Sequence, residues 1–332
     1  MFADRTKSGF HPIVDGVTIL STQLLKGIVS YDPQEFVVTV LSGTCVSDLI
    51  SILATQGQYL PFDPLLANRG ATIGGTVAAN AAGSGRLRFG GIRDFLLGVR
   101  FIDGRANCIR GGGQVVKNAA GFDFPKLMVG SQGKLGLIYE LTFKVFPRPE
   151  AYSTVISRFS KLDQALTYMN QLASSPMDIE ALDLIPIEGE VFDLAIRIGG
   201  IATAIPNRIS RLQQIVPESQ ILRDQEDEMF WRAASNFEWA HNSESLLKLP
   251  MSPRSIPQVE GHFANSQSQI VRRYSVGGNV AWLATEWTSD LQIKCGAIQT
   301  FLGQPREVSQ SNESGPFGKA IKRAMDPEMK FV

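Results

Sequence analysis

Glycines are concentrated in one stretch of this 332-residue chain, since 16 of its 31 glycines lie between Gly70 and Gly136. Glycine loses more conformational entropy on folding than any other residue and contributes no side-chain contacts, so packing alone does not explain this density. A backbone without side chains allows another group to approach it closely. We therefore expect the function of the chain to depend on this stretch.

Composition restricts the class of protein. The 32 basic and 32 acidic side chains give a formal net charge of zero, which provides no long-range attraction for nucleic acid or an anionic membrane. The length and the 44% hydrophobic content predict a globular protein of about two domains. The start of the chain lacks the pattern of a secretory signal, and no run of about 18 apolar residues occurs. We expect a soluble, cytoplasmic protein, or one that is membrane-peripheral through its partners.

The cysteines give no sign of a metal or disulfide site. Cys45, Cys108 and Cys295 are odd in number and widely spaced, which fits neither a disulfide framework nor a C-x-x-C motif. An iron–sulfur cluster generally needs four thiolates. We predict ordinary thiols in a reducing cytosol and no metal site.

The hydrophobic pattern predicts an α+β chain that divides at the prolines of residues 147–149. Beyond this point strands alternate with helices without glycine-rich turns, which predicts a second α+β domain with a mostly antiparallel sheet. The predicted strands are 36–40, 97–102, 106–110, 136–145, 154–156, 179–184 and 192–198. The predicted helices are 46–56, 162–172, 205–215 and one that starts near residue 224.

Two parts of the glycine-rich stretch predict backbone contacts to a ligand. If residues 76–82 form a short helix, its first amides are unpaired and could bind a phosphate or a polar cofactor edge. A tightly packed helix of small residues is an equally compatible alternative. After the turn that starts at Gly130, backbone groups of Leu137 and Ile138 could hydrogen-bond a purine edge. Neither a G-x-G-x-x-G fingerprint nor a P-loop is present, which excludes those nucleotide sites.

Five motifs follow one another in the sequence: Pro61-x-Asp63-Pro64, Thr72-Ile73-Gly74-Gly75-x-Val77-Ala78-x-Asn80, Arg93-Asp94, Val116-Lys117-Asn118, and Gly130-Ser131-x-Gly133-x-Leu135-Gly136-x-Ile138. In this order they resemble the vanillyl-alcohol-oxidase, or PCMH, type of domain that binds flavin adenine dinucleotide (FAD). Residues 93–98 and 116–123 are further similar to the small flavin-binding subunit of bacterial glycolate oxidase. The resemblance extends over residues 22–149 and is faint afterwards.

This resemblance implies FAD as the cofactor and a fold of two parts: a PCMH-type FAD-binding domain of two subdomains over residues 1–149, and an α+β cap domain over residues 150–332. It places Gly74 and Gly75 along the ribityl and diphosphate groups, and residues 133–138 beside the adenine half. The residues implied to contact the cofactor are Pro61, Asp63, Pro64, Thr72, Ile73, Gly74, Gly75, Ala79, Asn80, Gly83, Gly133, Gly136, Leu137 and Ile138.

The chain also departs from the family pattern. Only residues 6–9 resemble the end of the family's N-terminal diphosphate loop, so either the true start lies upstream or this copy of the loop is degenerate. The closing Asp326-Pro327 segment lacks the usual Asn-Pro-Gly, so we expect a shortened C-terminus as well. Oxidation of a 2-hydroxy acid needs a base, and histidine suits that role near neutral pH. His11, His241 and His262 are isolated in the sequence, and we predict no catalytic residue.

The resemblance implies an FAD-binding subunit of a glycolate, or 2-hydroxy-acid, oxidase or dehydrogenase complex. Its implied partners are a catalytic flavoprotein subunit and an iron–sulfur subunit. Two alternatives stay open: a self-sufficient FAD-dependent 2-hydroxy-acid dehydrogenase, and a non-enzymatic assembly subunit that has lost FAD.

Overall fold

The chain divides into two compact units in the computed structural model. The first unit combines Met1–Ala82, Gly90–Arg148 and Ser309–Val332, and the second combines Gly83–Phe89 and Pro149–Val308. The division into domains 1–149 and 150–332 stays a prediction. Ser309–Val332, which it assigns to the second domain, groups with the first unit. The structure describes residues 18–113, 122–188, 191–240, 245–264, 270–285, 299–303 and 315–331. Residues 6–9, the motif at 116–118, His11, His241 and Cys295 lie outside these ranges.

The described residues form the following elements. The strands are β1 (Ile28–Asp32), β2 (Val37–Leu41), β3 (Gln58–Tyr59), β4 (Leu96–Ile102), β5 (Cys108–Gly112), β6 (Leu137–Lys144), β7 (Phe146–Pro147), β8 (Ala151–Phe159), β9 (Ile179–Ile187), β10 (Val191–Gly200), β11 (Ser219–Arg223), β12 (Ser245–Pro250), β13 (Val271–Ser275), β14 (Val280–Thr285) and β15 (Gln299–Leu302). The helices are α1 (Val46–Ala54), α2 (Ile73–Ala78), α3 (Arg86–Phe89), α4 (Ile92–Phe95), α5 (Phe124–Met128), α6 (Leu162–Ala173), α7 (Ile205–Gln213), α8 (Asp224–Ser235), α9 (Ile256–Ala264) and α10 (Pro316–Met325). Within the described ranges, every helix is too short or too polar to cross a membrane.

The first unit is built on a five-stranded antiparallel sheet in the order β1-β2-β6-β4-β5. Val38, Val40, Leu141 and Phe143 are fully buried. They alternate along β2 and β6, as expected for strands with one face on a core. Helix α2 packs against β6, and α5 packs against β4 and β5. The sheet thus supports the glycine-rich segments that follow α1.

The second unit has an eight-stranded antiparallel sheet in the order β11-β8-β10-β9-β13-β14-β12-β15. One large apolar cluster joins this sheet to α6, α7 and α9. A smaller cluster forms where Ala181 and Ala195 pack with Trp231 of α8. The predicted α+β class with a mostly antiparallel sheet is confirmed.

The strands after α8 were not among the sequence predictions. One of them had a recognisable signal, because the turn between β13 and β14 contains Gly277 and Gly278, both with positive φ (61° and 82°). A Gly-Gly pair between two strand-like runs is typical of a β-hairpin. This hairpin supplies the centre of the second sheet.

Candidate cofactor-binding site

Helix α2 forms the middle of the predicted site and begins earlier than expected. It covers Ile73–Ala78, and Thr72 is its N-cap, with a side-chain Oγ1 that accepts a hydrogen bond from the Gly75 amide at 3.4 Å. Threonine is a preferred N-cap residue. The predicted helix at 76–82 is therefore wrong in its bounds, because the cap at Thr72 starts the helix three residues sooner.

The first amides of α2 are already paired within the protein. The Ile73 amide donates to the Thr44 carbonyl at 2.9 Å, and the Gly74 amide donates to the Ser42 carbonyl at 2.8 Å. The Thr76 amide donates to the Thr72 carbonyl at 2.9 Å. The expectation that outward amides at residue 76 bind a phosphate is wrong, since the start of the helix is docked on the turn after β2.

Gly74 is required by this docking. A Cβ atom at position 74 would lie 2.6 Å from the Ser42 Cβ and 2.8 Å from the Ser42 carbonyl oxygen, which is closer than real Cβ atoms come to a neighbouring residue. At this position, tight packing explains the glycine without a ligand. The presence of a glycine at position 74 is therefore no evidence for a cofactor beside α2.

The loop of residues 130–136 closes the C-terminal end of α2. The Gly130 amide donates to the Val77 carbonyl at 3.0 Å, and the Gln132 amide donates to the Ala78 carbonyl at 2.8 Å. These bonds satisfy two carbonyls that the end of a helix leaves unpaired. Gly130 and Gly133 have positive φ (79° and 76°), which glycine adopts at little cost.

The predicted purine-edge segment lies at the free end of β6. Leu137 pairs with Ile102 of β4 on one side. On the other side, the pairing of β6 with β2 ends at Glu140, and the Ser42 amide donates to the Tyr139 carbonyl. In the described part of the chain, no strand pairs with that second edge of Leu137 and Ile138. The backbone groups on that edge are thus not used by a neighbouring strand, as the predicted hydrogen bonds to a purine edge require.

The other predicted residues lie in turns beside α2. Pro64 forms an isolated antiparallel bridge with Ala82, and the Leu65 amide donates to the Ala81 carbonyl at 3.1 Å. Gly83 belongs to the second unit. The first unit thus brings together the predicted residues of segments 61–64, 72–80 and 133–138. Asp63 and Asn80 have positive φ (53° and 48°), whereas Pro61 and Ala79 are buried.

Three buried hydroxyl groups around α2 could form hydrogen bonds with a polar cofactor. The Oγ atoms of Ser42 and Ser131 and the Oγ1 atom of Thr76 are buried and have no hydrogen-bond partner. Buried hydroxyls in native proteins normally have one. Thr76 lies on α2 and Ser131 on the 130–136 loop, which both carry residues implied to contact FAD, and Ser42 lies on the turn after β2 on which α2 is docked. A cofactor rich in hydroxyl and phosphate oxygens fits this donor set. Sequence reasoning missed these residues because spacing alone does not reveal burial.

A separate cavity of about 130 Å³ lies on the five-stranded sheet. Its walls include Ser30, Thr39 and Thr142, together with Arg100 and Glu140, which form an ion pair at 3.2 Å. None of the residues predicted to contact FAD lines it. This cavity is therefore distinct from the predicted cofactor site.

Of the three histidines of the chain, His262 lies in the described ranges. His262 is on α9, where it is exposed and packs edge-on against Phe263 with ring centroids 6.0 Å apart. No group of three or more His, Cys, Asp or Glu side chains in those ranges could hold a metal ion.

Comparisons with known proteins identify a flavin-binding domain in the chain. Residues 5–112 match the family model of the FAD binding domain. The chain is similar to the glycolate oxidase subunit GlcE of Escherichia coli (strain K12), with 41% identity over 163 residues, which are 49% of this chain and 46% of that protein. It is also similar to the D-lactate dehydrogenase of Anaerostipes hadrus, with 31% identity over 175 residues, which are 53% of this chain and 36% of that protein. The matches thus cover less than half the length of these relatives.

A solved structure shows the same fold. The structure of an alkyldihydroxyacetonephosphate synthase superposes with a TM-score of 0.67 at 15% identity, and the match covers 94% of this chain and 66% of that one. The fold and the site define an α+β protein with an FAD-binding domain. The match over residues 5–112 and the similarity to FAD-linked oxidoreductases indicate FAD as the cofactor.

Proposed function

We propose that this chain is the FAD-binding accessory subunit of a glycolate, or 2-hydroxy-acid, oxidase or dehydrogenase complex. The observation that carries the proposal is the 41% identity to the glycolate oxidase subunit GlcE. The proposed partners are a catalytic flavoprotein subunit and an iron–sulfur subunit. The chain would hold a flavin that stores or relays electrons.

The described residues suggest how the flavin would be held. FAD, when bound, supplies the electron-transfer chemistry. Thr72, Gly75 and the buried hydroxyl of Thr76 would contact its ribityl and diphosphate groups. Leu137 and Ile138 would offer backbone hydrogen bonds to its adenine. The remaining predicted contacts, from Pro61 to Gly136, are proposed on the same resemblance.

A second candidate is a self-sufficient FAD-dependent 2-hydroxy-acid dehydrogenase. The similarity to the D-lactate dehydrogenase of Anaerostipes hadrus favours it. The two candidates differ in whether the isolated chain turns over a substrate. An activity assay of the isolated chain therefore distinguishes them.

The test is a visible spectrum of the purified chain before and after incubation with excess FAD, with gel filtration between the steps. We expect a flavin spectrum that survives gel filtration. We also expect no oxidation of glycolate or D-lactate with an artificial electron acceptor until the partner subunits are coexpressed. Turnover by the isolated chain would support the second candidate. A chain that binds no flavin in any preparation would overturn both.

A further inference from the structure

Helix α10 contributes a lysine that joins three parts of the first unit. The Lys322 Nζ donates to the Lys134 carbonyl at 2.7 Å, to the Asp326 carboxylate at 2.6 Å and to the Phe331 carbonyl at 2.6 Å. An ammonium group has three hydrogens, so its donors are all used. The Lys322 side chain is only 18% exposed. This contact connects residues 188 positions apart in the sequence.

Asp326 fixes the position of Lys322. Its side chain is fully buried, and it also accepts hydrogen bonds from the amides of Lys330 and Phe331, both at 2.8 Å. Burial alone would raise the pKa of Asp326, but the hydrogen bonds from Lys322, Phe331 and Lys330 together lower that pKa below its ordinary value. The carboxylate is therefore charged near neutral pH and holds the ammonium in one place.

The Lys134 carbonyl lies in the 130–136 loop, whose other end is bound to α2. The Gly130 and Gln132 amides donate to carbonyls of α2, and Lys322 holds the far end of the loop. At Gly136 the loop also touches β4, because a Cβ there would lie 2.7 Å from the Ile102 carbonyl oxygen. Lys322 therefore acts on the segment that leads directly into Leu137 and Ile138.

We propose that residues 315–331 are part of the FAD-binding machinery, with Lys322 as a positioning residue that holds the 130–136 loop where it meets the adenine half of FAD. The proposal rests on the proposed function, since it assumes that this loop contacts FAD. It adds a segment that lies outside the matched FAD binding domain, which ends at residue 112.

The variant Lys322→Met tests the proposal, because methionine keeps the length of the side chain and removes its donors. We expect the Kd for FAD to rise about tenfold to a hundredfold, which is the range for loss of charge-assisted hydrogen bonds. We also expect faster amide hydrogen exchange in residues 130–138 and unchanged exchange in β8 to β10. Lys322→Arg keeps the charge and its donors and should recover most of the affinity.

Arg323→Met is the matched control. Arg323 is the next residue on α10, is exposed, and forms no ion pair with any described residue. Its substitution should leave FAD affinity and exchange in the loop unchanged. If Lys322→Met does not fold, Lys322→Gln replaces it, because glutamine removes the positive charge but keeps an amide group that can donate hydrogen bonds. Its FAD affinity and loop exchange are then compared with those of Arg323→Met.

Two measurements separate the proposal from the proposed function. Hydrogen exchange is followed in the FAD-free chain, so it reports on the loop even if the wild-type chain binds no flavin. A wild-type chain without FAD affinity would overturn the proposed function. Unchanged exchange in residues 130–138 of Lys322→Met or Lys322→Gln, or an FAD affinity equal to that of the wild type, would overturn the role of Lys322.

Discussion

Gly104 and Asp326 lie in direct contact, although one is in the β4–β5 turn and the other follows α10. A Cβ atom at position 104 would lie 2.7 Å from the Asp326 Cα, and the Gly104 amide donates to the Met325 carbonyl at 2.8 Å. The Asp103 carboxylate shapes the same turn by accepting hydrogen bonds from the amides of Arg105 and Asn107. The turn is therefore shaped to receive the C-terminal segment.

Gly104→Ala should loosen that segment. The added methyl group overlaps the backbone of residue 326, and overpacking of this kind costs about 1–3 kcal/mol. Thermal unfolding followed by circular dichroism, with hydrogen exchange in α10, measures the effect. Gly113→Ala is the control, since nothing lies within 4 Å of a Cβ there. Equal stability of the two variants would contradict the prediction.

Thr76→Val should stabilise the FAD-free chain and weaken FAD binding. The Thr76 hydroxyl is buried without a hydrogen-bond partner, so its removal should gain about 1 kcal/mol in the free energy of unfolding. FAD would lose a contact, and its Kd should rise up to about tenfold. Urea unfolding and a fluorescence titration with FAD measure the two effects.

Thr39→Val is the control for that variant. The Thr39 hydroxyl is also buried, but it is hydrogen-bonded to the Thr142 hydroxyl at 2.9 Å. Its loss should destabilise the chain and leave FAD affinity unchanged. A Thr76→Val protein that is less stable and binds FAD normally would show that this hydroxyl does not face the cofactor.

Asp183→Asn should destabilise the second unit strongly. The fully buried Asp183 carboxylate accepts hydrogen bonds from the Arg273 Nε at 2.6 Å and from the hydroxyls of Ser84 and Ser275, both at 2.9 Å. Breaking a buried ion pair costs about 3–5 kcal/mol, because it leaves the other charge uncompensated. Urea unfolding followed by tryptophan fluorescence reports on it, since Arg273 packs on the Trp231 ring.

A surface pair provides the comparison. Arg158, whose side chain is 67% exposed, pairs with Asp193 at 2.7 Å. Arg158→Gln should cost less than about 1 kcal/mol, as exposed ion pairs do. The prediction fails if the two variants unfold at the same urea concentration.

Lys248→Met should stabilise the second unit, with a dependence on pH. Burial, followed by the positive charge of Arg86, lowers the pKa of Lys248 from 10.5 to about 8. Below pH 8 the lysine is protonated in both the folded and the unfolded chain, and burial of the charge costs up to about 3 kcal/mol. Methionine removes this cost.

The sign of the pH dependence follows from the lowered pKa. Between about pH 8 and pH 10.5 the folded wild-type chain releases the proton before the unfolded chain does, so wild-type stability rises with pH. The advantage of Lys248→Met should shrink over the same interval. Chemical denaturation at pH 7 and pH 10 measures it, and a gap that stays constant would argue against a buried charge at this position.

Local pattern predicted most of the elements near the site, with errors at their ends. The strand expected at 36–40 is β2 at Val37–Leu41, because Phe36 has a positive φ of 55° and belongs to the preceding turn. The strand expected at 106–110 is β5 at Cys108–Gly112, because Ala106, with φ 64°, lies in the turn. Period-two alternation predicts which residues of a strand are buried, but it does not predict the residue at which the preceding turn ends and the strand begins.

Long-range contacts explain what the sequence did not predict. The motif at 72–75 contains both a cap and a glycine pair, and only the position of Ser42 shows that Gly74 serves internal packing. The hydrogen bond from Lys322 to the Lys134 carbonyl joins two residues that no sequence motif connects. The burial of Ser131 could not be predicted either, because it depends on tertiary structure.

The three-part composition of the first unit has a consequence for synthesis on the ribosome. The second unit consists of Gly83–Phe89 and the continuous stretch Pro149–Val308. All of its strands are therefore translated before α10. The cost of closing a long loop grows only slowly with its length, and the order of emergence therefore matters more than the distance along the chain. Until residues 315–331 leave the exit tunnel, a nascent chain lacks part of its first unit, and a ribosome that stalls before that point holds a chain whose second unit is complete and whose first unit is not.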